Sequence, residues 1–169
     1  RIPVNLRDTL NLLDAASSVL EHPQLTKVHP SLLKNWQTFF NFTIGWSADD
    51  FAVARQTWPK VLAFVKSLYD NGVLLTVGTD LGNPWVIPGV SYFQEMELLA
   101  DAGIPPFAVL TMATYNGAEV IGQSHQLGQL ATGYVADFLV FGENPALSLD
   151  HLASLRWVVQ DGEVRYHSA

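Results

Sequence analysis

A chain of 169 residues, 49% hydrophobic and only 15% charged, is long enough to bury one ordinary core and is rich in apolar side chains for its size. Its 16 acidic and 9 basic residues give a formal charge of −7 without any lysine or arginine cluster, which argues against nucleic acid as a partner, because phosphate neutralisation drives such binding. Cysteine is absent, which excludes disulfides, thiolate zinc sites and thiol nucleophiles, and no apolar run reaches the roughly 18 residues of a membrane-spanning helix.

Arg1-Ile2-Pro3 carries neither an initiator methionine nor a signal-peptide pattern, and reads as the continuation of a longer chain. From Asp8 to Glu21 the apolar positions Leu10, Leu13, Ala16, Val19 and Leu20 recur at helical spacing. A short helix is expected after Pro30, carrying Leu32, Leu33 and Trp36, and Phe39 to Trp46 reads as a packed aromatic loop. Ser47-Ala48-Asp49-Asp50 opens a long helix that stops at Asn71-Gly72. Its stripe is Phe51, Ala54, Trp58, Val61, Leu62, Val65 and Leu68, and Pro59 is a possible kink.

Val73 to Gly78 is a continuous apolar run, the pattern of a parallel strand buried on both faces. A loop rich in glycine, proline and asparagine follows, up to Gly89. Helices are expected from Ser91 to Gly103, from Pro105 through Ala113, and from Thr114 to Gly122. After Gln126 the pattern turns to β: a strand at Ala136 to Phe141, then Leu155 to Gln160 and Val164 to Tyr166 flanking the hairpin signal Asp161-Gly162. Helix, turn and buried strand in succession indicate an α/β class.

Asp80 stands at the carboxyl end of the apolar run, where α/β folds bind ligands. A carboxylate there can ligate a metal or take a proton from activated water. The plainer reading is a local cap, with Thr79 and Asn83 satisfying nearby backbone.

Longer motifs favour the first reading. Val77-Gly78-Thr79-Asp80, Pro88-Gly89-Val90-Ser91, Glu95-Met96-Glu97-Leu98-Leu99 and Ala102-Gly103-Ile104-Pro105-Pro106 follow one another in order. They lead into Leu110-Thr111-Met112-Ala113-Thr114-Tyr115-Asn116-Gly117-Ala118, then Leu127-Gly128, Gly133, Ala136-Asp137-Phe138-Leu139-Val140, Asn144-Pro145 and Val158-Val159-Gln160-Asp161-Gly162. Each is short, but the series resembles the carboxy-terminal part of the amidohydrolase superfamily, nearest its imidazolonepropionase-like and prolyl-dipeptidase-like members. It covers Leu74 to Tyr166.

The resemblance implies the end of a (β/α)8 TIM barrel with strands of a small β-sandwich. Residues 1–125 would be barrel, with a helical insertion at about 8–71, and residues 126–169 sandwich. It implies hydrolysis of amide, cyclic amide or peptide C–N bonds by metal-activated water, with Asp80 as metal ligand and catalytic proton shuttle. The cofactor would be one or two divalent ions, zinc being favoured. The family's His-x-His pair is missing; His22, His29, His125, His151 and His167 read as surface or loop residues, so most ligands must lie outside this sequence. The implied partners are a small-molecule or dipeptide-like substrate, the N-terminal remainder of the barrel from the same or a separate chain, and further copies in a homo-oligomer. Neither nucleic acid nor membrane is expected, and the compartment is left open with a lean to the cytoplasm.

Asn83 and Trp85 in the loop after Asp80 are candidate substrate-binding residues. Phe93 is a third: it occupies a position where related sequences often carry histidine, and it reads either as the wall of an apolar pocket or as helix core. Ser91 reads as a helix cap, Asp137 as structural, Asn116 as bonding local backbone, and Glu95 as facing away from the apolar stripe. Trp36, Phe39, Phe40, Phe42, Trp46 and Trp58 could form a lid, a subunit contact or plain core. The alternatives to an enzyme are a barrel-derived scaffold without a metal site, or a small independently folding α/β domain.

Overall fold

The computed structural model describes residues 23–38, 45–83 and 86–168. The helix expected at Asp8 to Glu21, and Phe39, Phe40, Phe42 and Trp85, lie outside them. A 3-10 turn at Pro23–Lys27 leads into α1 (Pro30–Thr38), and α2 (Ala48–Asp70) is the long helix. Then come α3 (Val90–Asp101), α4 (Pro106–Ala113) and α5 (Tyr115–Val120). The β part is β1 (Phe138–Phe141), a 3-10 turn at Leu149–Ser154, β2 (Leu155–Gln160) and β3 (Glu163–His167).

Helix α2 starts where its capping residues dictate. The Ser47 hydroxyl accepts from the Asp50 N–H at 3.3 Å, and the Asp50 carboxylate accepts from the Ser47 N–H at 2.7 Å. This reciprocal box satisfies two amides that the first turn leaves without partners. The Ser47 bonds hold the Asp50 carboxyl below its ordinary range. The helix runs through Pro59 to Asp70, with Gly72 at φ 73 just beyond it. All seven residues of its expected stripe are half-buried, and none is fully buried. It therefore lies on the core as an outer layer.

That core is Met96, Leu98 and Leu99 of α3, Ile104, and Val109 and Met112 of α4. Trp58, Leu62, Val65 and Tyr69 of α2 close it on one side. Leu75 and Val77 pack on it too, as do Leu149 and Leu152 from the second 3-10 turn. A smaller cluster joins Leu25, Val28, Trp36 and Ile87. Trp36 is thus core, Trp58 borders the main cluster, and Trp46 packs on Phe51 with ring centres 5.1 Å apart. Of the three described tryptophans of the aromatic group, Trp36 lies in the smaller cluster, while Trp46 and Trp58 both border the outer face of α2.

The strands form one antiparallel sheet in the order β1-β2-β3. Asp161 and Gly162, at φ 52 and 75, make the tight turn between β2 and β3, since two successive positive φ values match the twist of a hairpin. Asp137 is structural as expected: its Oδ1 accepts from the Asp161 N–H at 2.7 Å and ties this turn to the start of β1.

Residues 73–80 differ from expectation. They form no strand, although their burial alternates: Leu75, Val77 and Thr79 are half-buried, while Leu74, Thr76 and Gly78 are exposed. Val73 is 46% and Leu74 50% exposed. One face lies on the helices; the other is uncovered, whereas the apolar run had implied burial on both. A parallel strand needs neighbours to pair its edges, and no strand pairs with this segment among the described residues.

Two hydrogen bonds tie the segment to the helices that follow it. Val77 N–H donates to the Met112 carbonyl at 3.4 Å, and the Asn116 amide donates to the Leu75 carbonyl at 2.7 Å. Asn116 was expected to bond local backbone near the barrel end; its partner lies in the expected last barrel strand, 41 residues away in sequence, because α5 starts beside the extended segment. Replacing Asn116 with alanine leaves the half-buried Leu75 carbonyl without this donor. It should lower stability by about 1–2 kcal/mol, read as a lower denaturant midpoint at constant slope. An unchanged midpoint would contradict this anchoring.

Candidate functional site

The segment 73–80 delivers Asp80 to an exposed rim of the helical layer. Asp80 has φ 56, a left-handed backbone that non-glycine residues seldom adopt and that aspartate and asparagine tolerate better than most. Asn83, three residues on, holds this turn. Its N–H donates to the Asp80 carbonyl at 3.3 Å, and its side-chain amide donates to the same carbonyl at 3.1 Å and to Asp80 Oδ2 at 2.7 Å. The local reading of Asn83 as a backbone partner is therefore seen, together with a bond to the carboxylate itself.

Helix α3 follows the loop. Its N-cap is Gly89, which offers no side-chain acceptor. Ser91 is not the cap: it is the second residue of the helix, buried, where its hydroxyl accepts from the Ile87 N–H at 2.8 Å and fastens the incoming loop. Phe93 is 42% exposed and meets Tyr92 edge to face at 6.4 Å. Its reading as helix core does not hold, since the buried face of α3 is made by Ser91, Glu95, Met96, Leu98 and Leu99. Glu95 is the reverse case. It was expected to face away from the stripe and is only 2% exposed. Its spacing of four from Ser91 and from Leu99 puts all three on one face, a signal present in the sequence but masked by the charge of the side chain.

Tyr92 links α3 to α4 through its hydroxyl, which donates to the Ala113 carbonyl at 3.1 Å. Burial pushes this phenol above its ordinary value of 10.0. The unfolded chain therefore loses the proton first as pH rises. The contribution is complete below about pH 10 and is lost as pH climbs through the raised folded value. Tyr92→Phe should flatten the alkaline limb of a stability–pH curve; an identical limb in the variant would contradict the role.

The four described histidines do not converge on Asp80. His29, His125 and His167 are exposed, and His151 bonds the Asn144 carbonyl through Nδ1 at 2.7 Å. Among the described residues no three His, Asp or Glu side chains form a group able to hold a metal ion. A groove of about 400 Å³ lies on α2, bordered by Trp46, Val53, Thr57 and Trp58, and includes none of Asp80, Asn83 and Phe93.

The sequence model of the amidohydrolase family matches residues 43–166, nearly three quarters of the chain. The chain belongs to the amidohydrolase family. That family comprises hydrolases acting on carbon–nitrogen bonds and generally uses divalent metals. Imidazolonepropionase of Aeromonas hydrophila is 32% identical over 107 residues, covering 61% of this chain and 26% of that protein. Bottromycin amidohydrolase superposes with a TM-score of 0.74 at 24% identity, over 96% of this chain and 35% of its own. A Xaa-Pro dipeptidase with methionine in its active site superposes with a TM-score of 0.59 at 21% identity, over 82% of this chain and 32% of its own. The two structures share the fold, a mixed helix and strand arrangement of amidohydrolase type. The chain spans about a quarter of the length of the curated relatives it matches.

A divalent ion of the family's kind suits Asp80 as one ligand. The carboxylate is a hard oxygen donor on an exposed rim, and Asn83 fixes how it is turned. One carboxylate does not make the roughly four ligands that zinc takes, so the described residues do not by themselves complete such a site.

Proposed function

We propose that this chain forms the carboxy-terminal part of a metal-dependent hydrolase of amide, cyclic amide or peptide C–N bonds, with Asp80 as its catalytic carboxylate. The observation that carries this reading is an exposed aspartate, held in a left-handed turn at the end of an extended apolar segment, inside the region matched by the amidohydrolase family. The remaining ligands and strands come from the rest of the barrel, in the same or a separate polypeptide. The uncovered face of 73–80 supports that arrangement. Apolar side chains exposed on the sheet, such as Leu139, Trp157 and Tyr166, suit further sandwich strands or a second copy. On this reading residues 1–125 belong to the barrel and 126–169 to the sandwich.

Asp80 would be a ligand in a centre of one or two divalent ions, zinc being favoured. When bound, the ion supplies Lewis acidity that polarises the scissile carbonyl and readies water for attack. Asp80 accepts the proton released by the attacking water and passes it to the departing amine, which cannot leave as an anion near neutral pH. Phe93 and Trp85 would give the substrate apolar surface. Elemental analysis of the assembled barrel protein, with assays on cyclic amides and Xaa-Pro dipeptides, tests the assignment. A divalent ion at near-unit stoichiometry and turnover are expected; a metal-free, inactive protein would point to a scaffold.

A further inference from the structure

Resting on that reading, we infer that Asn83 is a positioning residue for Asp80 and not primarily a substrate contact. Its amide nitrogen has two hydrogens, and the geometry uses both on one residue: the Asp80 carbonyl at 3.1 Å and Asp80 Oδ2 at 2.7 Å. The Asn83 N–H adds a third bond, to the same carbonyl at 3.3 Å. The carbonyl bonds stabilise a backbone at φ 56 that an aspartate would otherwise leave readily. The Oδ2 bond restricts rotation of the carboxylate about its side-chain torsions. Together they set where the carboxylate points before any ion arrives, which lowers the ordering cost of binding. A leucine at position 83 keeps the volume and the backbone N–H but has no side-chain donor.

The test uses the assembled barrel protein stripped of metal, with zinc and cobalt(II) alone as probes. Zinc affinity is measured by competition with a chromophoric chelator, for wild type, Asn83→Leu, Asn83→Ala and Asp80→Asn. Asn83→Leu should weaken zinc binding about 10- to 100-fold. It should also alter the visible spectrum of the cobalt(II) form, which reports ligand geometry and not overall stability. Wild-type affinity and an unchanged cobalt spectrum in Asn83→Leu would overturn the inference while Asp80→Asn still binds weakly. If Asp80→Asn itself binds zinc like wild type, the ligand reading fails instead. Should Asn83→Leu not fold, Asn83→Ala is read by the same two criteria.

Discussion

Asp80→Asn in the assembled enzyme should lower kcat/KM by about a thousandfold or more while leaving the melting temperature nearly unchanged. General acid–base catalysis alone contributes about 10²- to 10⁴-fold, and losing a metal ligand adds to that. Asparagine is the informative replacement because it tolerates the left-handed backbone that Asp80 adopts at φ 56. Its side-chain oxygen can still accept from the Asn83 amide that now bonds Oδ2. What it lacks is the negative charge and a proton-accepting oxygen. Alanine at the same position would add backbone strain and confuse the two causes. Steady-state kinetics on a substrate that the wild type turns over, with a thermal melt alongside, is the measurement. Activity within a few-fold of wild type would remove Asp80 from the chemistry.

Gly128→Ala should be the most damaging single-methyl change in the described part of the fold. Gly128 sits at φ 88, where an added Cβ is strained regardless of space. That Cβ would also lie 2.8 Å from the Tyr115 Cα, 3.0 Å from the Thr114 carbonyl oxygen and 3.1 Å from the Ala118 Cβ. Two of these three contacts are backbone, and the third is a methyl on a helix. None can swing aside as the end of a long side chain could. Backbone strain of about 1–2 kcal/mol and overpacking of about 1–3 kcal/mol together predict a loss of roughly 2–5 kcal/mol. Asn116 belongs to this same helix, so displacement of α5 would also loosen the Leu75 bond and the segment that carries Asp80. Urea denaturation should show the lower midpoint; a loss below about 0.5 kcal/mol would mean that the loop relaxes freely.

Much of the fold was legible because its determinants are local. The helix entry at Ser47 to Asp50 and the Asp161-Gly162 turn are each written within a few adjacent residues, the stripe of α2 recurs at helical spacing within one element, and each occurs in the structure as read. Position 73–78 was harder. Its composition shows that it can be extended and apolar, but pairing depends on neighbours, and here only one face is covered. Glu95 is buried against its outward reading and Phe93 is exposed against the core alternative, because hydrophobicity alone is a poor guide on a helix that buries Ser91 and Glu95 beside Met96, Leu98 and Leu99. The bond from Asn116 to Leu75 spans 41 residues and leaves no short-range trace.

The candidate site followed the same division. Asp80 stood out because a carboxylate ending an apolar run is a local pattern, strengthened by ordered family motifs. Asn83 reads in the sequence as a partner of local backbone or as a substrate contact, but its double engagement with Asp80 depends on the left-handed turn, which an aspartate does not announce. Partners for Asp80 beyond its own loop could not be read from these residues, since a barrel's ligands come from strand ends far apart in sequence.

Diffraction from crystals of the assembled protein, collected across the zinc absorption edge, tests the central claim most directly. The account predicts an anomalous peak with an Asp80 carboxylate oxygen about 2.0–2.2 Å away, completed by histidines from other barrel strands. An occupied metal centre with Asp80 facing solvent elsewhere would contradict it.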